Sequence, residues 1–403
     1  MAGRPSTFRR IWQPPGRYAD RALDRRVTFL EVFFDLVFVV VISQLGRHLA
    51  THASWAGVGW FVFLFFAVWS SWLNGTLYHD LHTTDDVSVR VFTFAQMLAV
   101  AVMAVFIGEV PGEGTNGFAL AYAANTLILV ILWFRTGLHD ASHRPGSVPY
   151  STGYLISTVL FAVSAAFDGP VVYWLWVAGL ASQVLGWVIG MHRWTPPEAQ
   201  QGEAILPTTP SLIERMGLFV IIVLGEVIVG AVNGMADIHP LDTHGIVVGL
   251  LGVVVAIGLW WIYFDLVSHR PPIHRLTQVW LNLHFPLVVA IAAGGAAVLN
   301  TIEHEAGGLP DAVRWLLVGS LAAALLSVAL LTWTLQIRLE LPEVYRAVDV
   351  VLVSSAVLSL GVGLTTWGAK GSLGAMVVLL LAPIAVGVVA WLKHTEPDAI
   401  DLE

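Results

Sequence analysis

The sequence predicts an all-α integral membrane protein with about twelve transmembrane helices, arranged as two parallel six-helix repeats with cytoplasmic N- and C-termini. Of its 403 residues, 57% are hydrophobic and 12% are charged, against about 25% charged in ordinary soluble domains. Apolar segments long enough to cross a bilayer recur along the whole chain. If the N-terminus is inside, 17 of the 20 Lys and Arg residues are cytoplasmic, as the positive-inside rule expects.

Each predicted span has about 20 mostly apolar residues and ends at clusters of Gly, Pro, Asp or Asn. The predicted spans, numbered 1 to 12, cover residues 28–49, 55–78, 88–109, 117–137, 151–167, 171–191, 212–233, 245–267, 278–300, 312–337, 346–367 and 373–393. Span 5 is the shortest. An even number keeps both termini inside, whereas eleven spans would spoil the charge distribution.

Spans 1 and 7 indicate that the chain is doubled. Setting Leu30-Glu31 on Ile213-Glu214 aligns them with an offset of 183 residues. Six spans per half gives the halves parallel topology. The predicted organisation is an Arg-rich cytoplasmic arm at 1–26, a first repeat at 27–193, a Pro-rich cytoplasmic linker at 194–211, a second repeat at 212–393 and a C-terminal tail at 394–403.

Two carboxylates, Glu31 and Asp35, lie one helical turn apart within span 1, on the same face as Phe38 and Ile42. A charged side chain inside a membrane helix costs about 2.5 to 3.5 kcal/mol on insertion scales, so it needs a partner, a water-filled cavity or a proton. One interpretation is a cation or proton site at the inner mouth of a pathway. In the other, Glu31 pairs with an arginine of the arm or of a cytoplasmic loop, and Asp35 pairs locally.

Span 7 carries two further glutamates. Glu214 aligns with Glu31, so the two are interpreted as an anchor repeated in both halves. Glu226 lies about 18 Å deeper along the helix, near the bilayer midplane, and like Asp35 it has no counterpart. It is a candidate proton carrier, or else a protonated side chain that donates one structural hydrogen bond. Gly225 and Gly230 predict that another helix packs closely here.

Several other polar residues within the spans are candidates for a central cavity. They are Asn74, Gln96, Tyr263, Asp265 and His284. Taken singly, each is more often an interhelical hydrogen bond than a ligand. Because they recur on spans 2, 3, 8 and 9, we expect these spans to line a polar cavity together with spans 1 and 7.

Histidines cluster in the predicted cytoplasmic loops. His79, His82, His139 and His143 lie there beside acidic residues, and His139 and His143 have a spacing that could hold a transition metal. Without a third ligand we favour solvated loop ends and predict no metal site. The chain has no Cys, and it lacks a phosphate-binding loop, a nucleophile elbow and a zinc motif. We therefore predict no cofactor, no catalytic residue and no nucleic acid partner, and an enzyme is not favoured.

Two stretches carry a resemblance to a known family. LEVFFDLVFVVVISQLG in span 1 and ERMGLFVIIVLGEVIVG in span 7 resemble the signature segments of the bacterial low temperature requirement protein A family. The resemblance extends over nearly the whole chain, through the Trp-rich end of span 2 and the run from Trp260 to Asp265. It implies a multi-pass bacterial membrane protein, and it carries no established biochemical activity.

A shorter stretch is similar to another family. Residues 30–38, LEVFFDLVF, are similar to the first-helix motif of the endolysosomal and bacterial potassium channels that carry Phe-Ser-Asp. Phe34 stands where those channels have Ser. Gly217 and Leu218 stand where the second half would repeat the motif.

These observations favour a proton- or cation-coupled transporter in the bacterial cytoplasmic membrane, with the lipid bilayer and a small ion or small molecule as its partners. Asp35 and Glu226 would carry the ion or proton. One alternative is a cation channel in which span 1 lines the pore and Phe38 and Ile42 form its constriction. Another is a non-transporting membrane scaffold or a membrane-embedded enzyme.

Overall fold

The architecture is that of a computed structural model, in which part of the chain is described. The described residues are 27–82, 87–139, 141, 144–193, 208–237, 243–303 and 309–394. The predicted arm at 1–26, residues 194–207 of the predicted linker and the tail beyond His394 lie outside them.

Over the described residues the chain is helical, with twelve helices of 21 to 27 residues. They are α1 (Phe29–Thr51), α2 (Trp55–Leu81), α3 (Val87–Ile107), α4 (Thr115–His139), α5 (Arg144–Ser164), α6 (Pro170–Arg193), α7 (Pro210–Ala236), α8 (Thr243–Leu266), α9 (Thr277–Glu303), α10 (Asp311–Trp333), α11 (Pro342–Gly363) and α12 (Ala369–His394). A 3-10 turn at His274–Leu276 and a short helix at Ile337–Glu340 precede α9 and α11.

Eleven of these helices are long and apolar enough to cross a membrane, which agrees with the all-α membrane class expected from the composition. The exception is α5, which corresponds to the shortest predicted span. It begins at Arg144, seven residues before the predicted start at 151. Its first turns are polar and include Pro149, yet Gly146, Ser147 and Ser151 are buried. Packing against other helices therefore outweighs the weak hydropathy of this segment.

The chain forms two compact units, Met1–Leu45 with Phe63–Arg215, and Gly46–Val62 with Met216–Glu403. In the first unit, consecutive helices pack on each other, α3 on α4, α4 on α5 and α5 on α6. The contact between α5 and α6 is close at Gly153, whose backbone lies against Gly186. Small residues at such positions let helix backbones approach each other.

The second unit is a closed series of helices. Each of α8 to α11 packs on the next helix in sequence, and α12 packs back on α8. The loops that follow α8 and α10 pair through backbone hydrogen bonds, from the Ile273 N–H to the Thr334 carbonyl at 2.7 Å and from the Gln336 N–H to the Pro271 carbonyl at 3.0 Å. These bonds tie the chain after α8 to the chain that leads from α10 into α11.

The prediction for the glycines of α7 is wrong. A Cβ added at Gly225 or Gly230 would meet no described atom within 4 Å. Close approaches to α7 in this unit occur instead at Gly295 of α9, where an added Cβ would lie 2.8 Å from the Val227 side chain, and at Gly234 of α7, where it would lie 2.8 Å from Leu299. A glycine in a helix thus indicates close packing only when a neighbouring helix presents a side chain there.

Candidate functional site

Asp35 lies on α1 and forms a buried ion pair with Arg215 of α7. Arg215 donates through Nη2 to Asp35 Oδ1 at 2.5 Å and through Nε to Oδ2 at 3.4 Å. Trp72 of α2 donates its indole N–H to the same Oδ1 at 2.7 Å. Asp35 is 0% exposed and Arg215 is 1% exposed. A buried carboxylate needs such partners, because the cost of desolvating an ion is several kcal/mol.

Glu31, one turn before Asp35, closes the first turn of α1. The Thr28 N–H and hydroxyl donate to Glu31 Oε2 at 2.8 and 3.0 Å, and the Glu31 N–H donates back to the Thr28 hydroxyl at 3.3 Å. This reciprocal pattern is a capping box, which satisfies backbone N–H groups that have no partner within the helix. It fixes the Glu31 carboxylate at 4% exposure.

Arg215 lies between these two carboxylates but is hydrogen-bonded to only one of them. Its Nη1 atom is 4.0 Å from Glu31 Oε1 and has no hydrogen-bond partner among the described residues. Glu31 and Asp35 are separated by about 6 Å along the helix axis. A second acceptor is therefore within a short movement of the guanidinium.

Phe34 forms the wall beside this ion pair. Its ring lies 5.9 Å from the Arg215 guanidinium carbon and packs edge to face with Phe38 at 5.2 Å. A Cβ added at Gly75 would be 2.9 Å from the Phe34 ring and 3.7 Å from the amide nitrogen of Gln96. Gly75 is thus needed for the close approach of α1 and α2, and Gln96 lies beside the same glycine.

Gln96, one of the predicted cavity residues, is fully buried on α3. Neither its amide nitrogen nor its amide oxygen has a hydrogen-bond partner among the described residues. Leaving a buried amide unsatisfied costs about 1 to 3 kcal/mol per group. Such an amide can accept a dehydrated ion or a water molecule.

The prediction that His79, His82 and their acidic neighbour lie in solvated loops is wrong. Both histidines and Asp80 are buried, because α2 continues to Leu81. His79 donates from Nδ1 to the Gly75 carbonyl at 2.7 Å, and its Nε2 lies 3.0 Å from the Thr93 hydroxyl. His139 ends α4, and His143 lies outside the described residues.

Asp80 holds the N-terminus of α7. It accepts from the hydroxyls of Thr209 at 2.8 Å and Ser211 at 2.5 Å. Thr209 also caps α7 by accepting from the Leu212 N–H at 2.9 Å, with Pro210 as the first helical residue. A carboxylate at this end is further favoured by the helix dipole. The cap fixes where α7 starts and therefore which way Arg215 points.

Glu31 and Glu214 have different surroundings in the structure. The interpretation of the two glutamates as a repeated anchor is therefore wrong. Glu31 is the third residue of α1 after its cap and is buried, whereas Glu214 is the fifth residue of α7 and is exposed. Two residues in an α-helix change the direction of a side chain by about 200°. In α7 it is Arg215, next to Glu214, that lies in the interior.

Glu226 and Asn74 are both half-buried. Glu226 belongs to the second unit, where the cavity lined by Leu224 and Val227 of the same helix is small, about 20 Å³, and almost entirely apolar. Asn74 donates its amide to the Ser70 carbonyl of its own helix at 2.8 Å.

The structure brings two predicted residues of the second unit together. The Tyr263 hydroxyl on α8 lies 3.0 Å from Nε2 of His284 on α9. His284 Nδ1 lies 2.8 Å from the Trp280 carbonyl. A carbonyl only accepts, so Nδ1 carries a proton. In the neutral ring, Nε2 then accepts from the tyrosine. Asp265, by contrast, is exposed and accepts from the Trp261 indole at 2.8 Å.

Gln183 of α6 is the centre of a buried polar network. Gln183 accepts from the hydroxyls of Ser70 at 3.0 Å and Tyr122 at 3.3 Å, and its amide nitrogen donates to Ser157 at 2.7 Å. One side chain thereby links four helices of the first unit. Every amide atom is satisfied, which is the pattern of a structural network.

Arg215 and Trp72 are parts of the site that were not predicted from the sequence. Arg215 was counted among the cytoplasmic basic residues, although it lies six positions into α7. Two signals could have identified it: Asp35 needs a cation, and Arg215 is followed directly by an apolar run at a similar predicted depth. Among the described residues, no three His, Asp or Glu side chains group around a position for a metal ion.

Comparison with known proteins places this architecture in a family. The sequence pattern described as "Bacterial low temperature requirement A protein (LtrA)" matches residues 26–382. An uncharacterized protein of Rhizobium meliloti (strain 1021), named RA0937, is 30% identical over 245 residues. That alignment covers 59% of this chain and 58% of the relative, so the chain spans less than two thirds of the relative's length. The match over most of the sequence shows that this multi-pass membrane protein belongs to the bacterial low temperature requirement A family.

Proposed function

We propose that this protein is a proton- or cation-coupled transporter of the bacterial cytoplasmic membrane, and that the Asp35–Arg215 pair is its coupling element. The observation that carries the proposal is the position of the Arg215 guanidinium. It is hydrogen-bonded to Asp35, while its free Nη1 lies 4.0 Å from Glu31 on the next turn of the same helix. The guanidinium thus has two alternative partners in a buried setting.

Partner exchange is what a coupling element requires. A proton or cation that neutralises Asp35 removes the charge that holds Arg215, and the guanidinium then moves to Glu31. Breaking a buried ion pair without a new partner costs about 3 to 5 kcal/mol, and Glu31 supplies that partner. Two discrete pairings of one cation make an element with two states, which a bound ion can bias.

The residues around the pair support this role. Trp72 donates to Asp35 from α2, and Phe34 covers the guanidinium from α1. The His79 ring lies 5.9 Å from the Phe34 ring. The unsatisfied amide of Gln96 lies beside Gly75, which contacts the same Phe34 ring. We propose that the transported ion or molecule passes at Gln96.

The same proposal includes twelve membrane spans, two parallel six-helix repeats, and N- and C-termini on the cytoplasmic side. In such transporters, substrate sites lie between the repeats near the bilayer midplane, and Glu226 is the candidate carrier in the second repeat. The positive-inside distribution of basic residues supports the placement of both termini.

Flux across liposomes tests the proposal. We would reconstitute the wild type, Asp35→Asn, Arg215→Gln and Glu226→Gln, impose a pH or potassium gradient, and record ion movement with fluorescent dyes. Glu214→Gln is the matched control, because Glu214 is next to Arg215 in the sequence but its carboxylate is exposed. We expect flux in the wild type and in Glu214→Gln, and loss of most flux in Asp35→Asn, Arg215→Gln and Glu226→Gln.

Other outcomes would contradict the proposal. Steady ionic current without a counter-substrate, increased by polar substitutions at Phe38 and Ile42 that let water into the constriction, would show the channel alternative. If the wild type gives no flux of protons, potassium or sodium, a scaffold or a membrane-embedded enzyme would be favoured. Equal flux in wild type and Asp35→Asn would remove the coupling role from the ion pair.

A further inference from the structure

A pocket of about 900 Å³ opens in the second unit at the end of α8. It is bounded by the last residues of α8, the start of α11 and the last third of α12. These three helix ends place it where a membrane helix leaves the hydrocarbon, at the level of lipid headgroups. It shares no residue with the Asp35 site, so an inference about it does not rest on the proposed transport.

Two opposite charges line this pocket without pairing with each other. Asp265 accepts from the Trp261 indole, and Arg270 donates to the Asp265 backbone carbonyl at 2.7 Å. Among the described ion pairs, neither residue takes part in one. The Arg270 guanidinium carbon lies over the face of the Tyr345 ring, 5.7 Å from its centre.

The two charges are close enough to affect each other. Partial burial lowers the pKa of the Arg270 guanidinium from its ordinary value, and the negative charge of Asp265 opposes that shift. Arginine stays protonated in proteins, so the pocket presents one cation and one anion side by side. A ligand that carries both signs of charge complements such a surface.

The remaining walls are apolar and aromatic. Val344, Val348 and Val388 line one side, and Trp260 stacks on Phe264 at 5.1 Å on the other. Trp260 and Trp261 are both exposed at the rim. Indoles favour the membrane–water interface, where one edge is apolar and the other is wet. The walls therefore suit hydrocarbon chains, and the charged end suits a polar headgroup.

We propose that this pocket binds one phospholipid with a zwitterionic ethanolamine headgroup. The phosphate contacts Arg270, the primary ammonium contacts Asp265, and the acyl chains lie against the valines and Trp260. An arginine suits a phosphate because its guanidinium can donate two parallel hydrogen bonds. An ammonium with three donors suits a carboxylate.

Native mass spectrometry of the full chain in mild detergent tests this lipid site. The probes are phosphatidylethanolamine, phosphatidylglycerol and chain-free glycerophosphoethanolamine. Gly387→Phe fills the pocket from α12, because a Cβ at this position points to Asp265 Oδ2 and Leu266 at 3.8 Å. Gly374→Phe is the matched control on the same helix, where an added Cβ meets no described atom within 4 Å.

We expect the wild type and Gly374→Phe to retain one ethanolamine lipid and Gly387→Phe to lose it. Removing one charge-assisted hydrogen bond weakens binding about tenfold. Arg270→Gln should therefore weaken the binding of both phospholipids. Asp265→Asn should weaken the binding of the ethanolamine lipid only. Retention by Gly387→Phe, equal binding of both phospholipids by the wild type, or equal binding of the chain-free headgroup would each overturn the proposal.

Discussion

Trp72 donates its indole N–H to the same carboxylate oxygen of Asp35 that accepts from Arg215. The indole is the neutral member of this arrangement, and it approaches from α2 while the guanidinium approaches from α7. It therefore holds Asp35 in place whichever partner Arg215 has. The site thus combines a fixed neutral donor with a cation that has a second acceptor nearby.

Trp72→Phe removes the fixed donor and keeps most of the ring. A hydrogen bond to a charged group contributes about 1.5 to 3 kcal/mol, so we expect the free energy of unfolding in detergent micelles to fall by about that amount. Trp174→Phe is the control, because Trp174 is 71% exposed. An equal small effect of both substitutions would show that the indole hydrogen bond is not made.

Glu31 and Asp35 should be coupled in their effect on stability. In Asp35→Asn the guanidinium can move to Glu31, so this variant should lose less than the roughly 3 to 5 kcal/mol expected for an unpaired buried charge. In Asp35→Asn/Glu31→Gln that second partner is lost as well. We expect the double variant to lose more unfolding free energy than the two single variants added together. Simple additivity would mean that Arg215 does not exchange partners.

Gly75→Ala places a methyl group against Phe34, 2.9 Å from its ring. The same ring lies 5.9 Å from the Arg215 guanidinium carbon, so we expect a shift of the ring to disturb the ion pair. Overpacking of this kind costs about 1 to 3 kcal/mol. Thermal unfolding of Gly75→Ala and of Gly59→Ala checks this, because Gly59 is on the same helix with no described atom near its Cβ position. A similar melting temperature for both variants would contradict the close approach.

Glu31→Ala and Glu214→Ala should differ although the sequence aligns them. Glu31→Ala removes the capping box of α1, at a cost of about 1 kcal/mol. Glu214→Ala changes an exposed side chain and should stay within about 0.5 kcal/mol of the wild type. Chemical unfolding of both variants compares the two free energies directly. Equal losses would restore the interpretation of these glutamates as a repeated anchor.

The helices could be predicted because bilayer thickness sets the length of each span. Span 5 differed most, since α5 begins in a polar stretch that hydropathy cannot identify. The face of α1 that carries Glu31, Asp35, Phe38 and Ile42 also followed from helical periodicity, and all four residues are buried. The two-repeat organisation and the sidedness of the termini stay predictions.

Partners across the fold could not be predicted, because sequence spacing does not show which helices meet. Asp35 and Arg215 are 180 residues apart, and a cluster of basic residues at helix ends has the same composition whether one of them is buried or not. Tyr263 and His284 were chosen separately and proved to be in contact. The hydrogen-bond partners of Gln183 are likewise between 26 and 113 residues away in the sequence.

The most direct test of the coupling mechanism is infrared difference spectroscopy of the reconstituted protein, recorded while the pH is lowered or potassium is added. If Asp35 exchanges Arg215 for a proton or a cation, a carboxyl band of the wild type should change, vanish from the spectrum of Asp35→Asn and persist in that of Glu214→Gln. A spectrum that is the same in wild type and Asp35→Asn would show that Asp35 stays ionised and paired, and it would contradict the coupling mechanism.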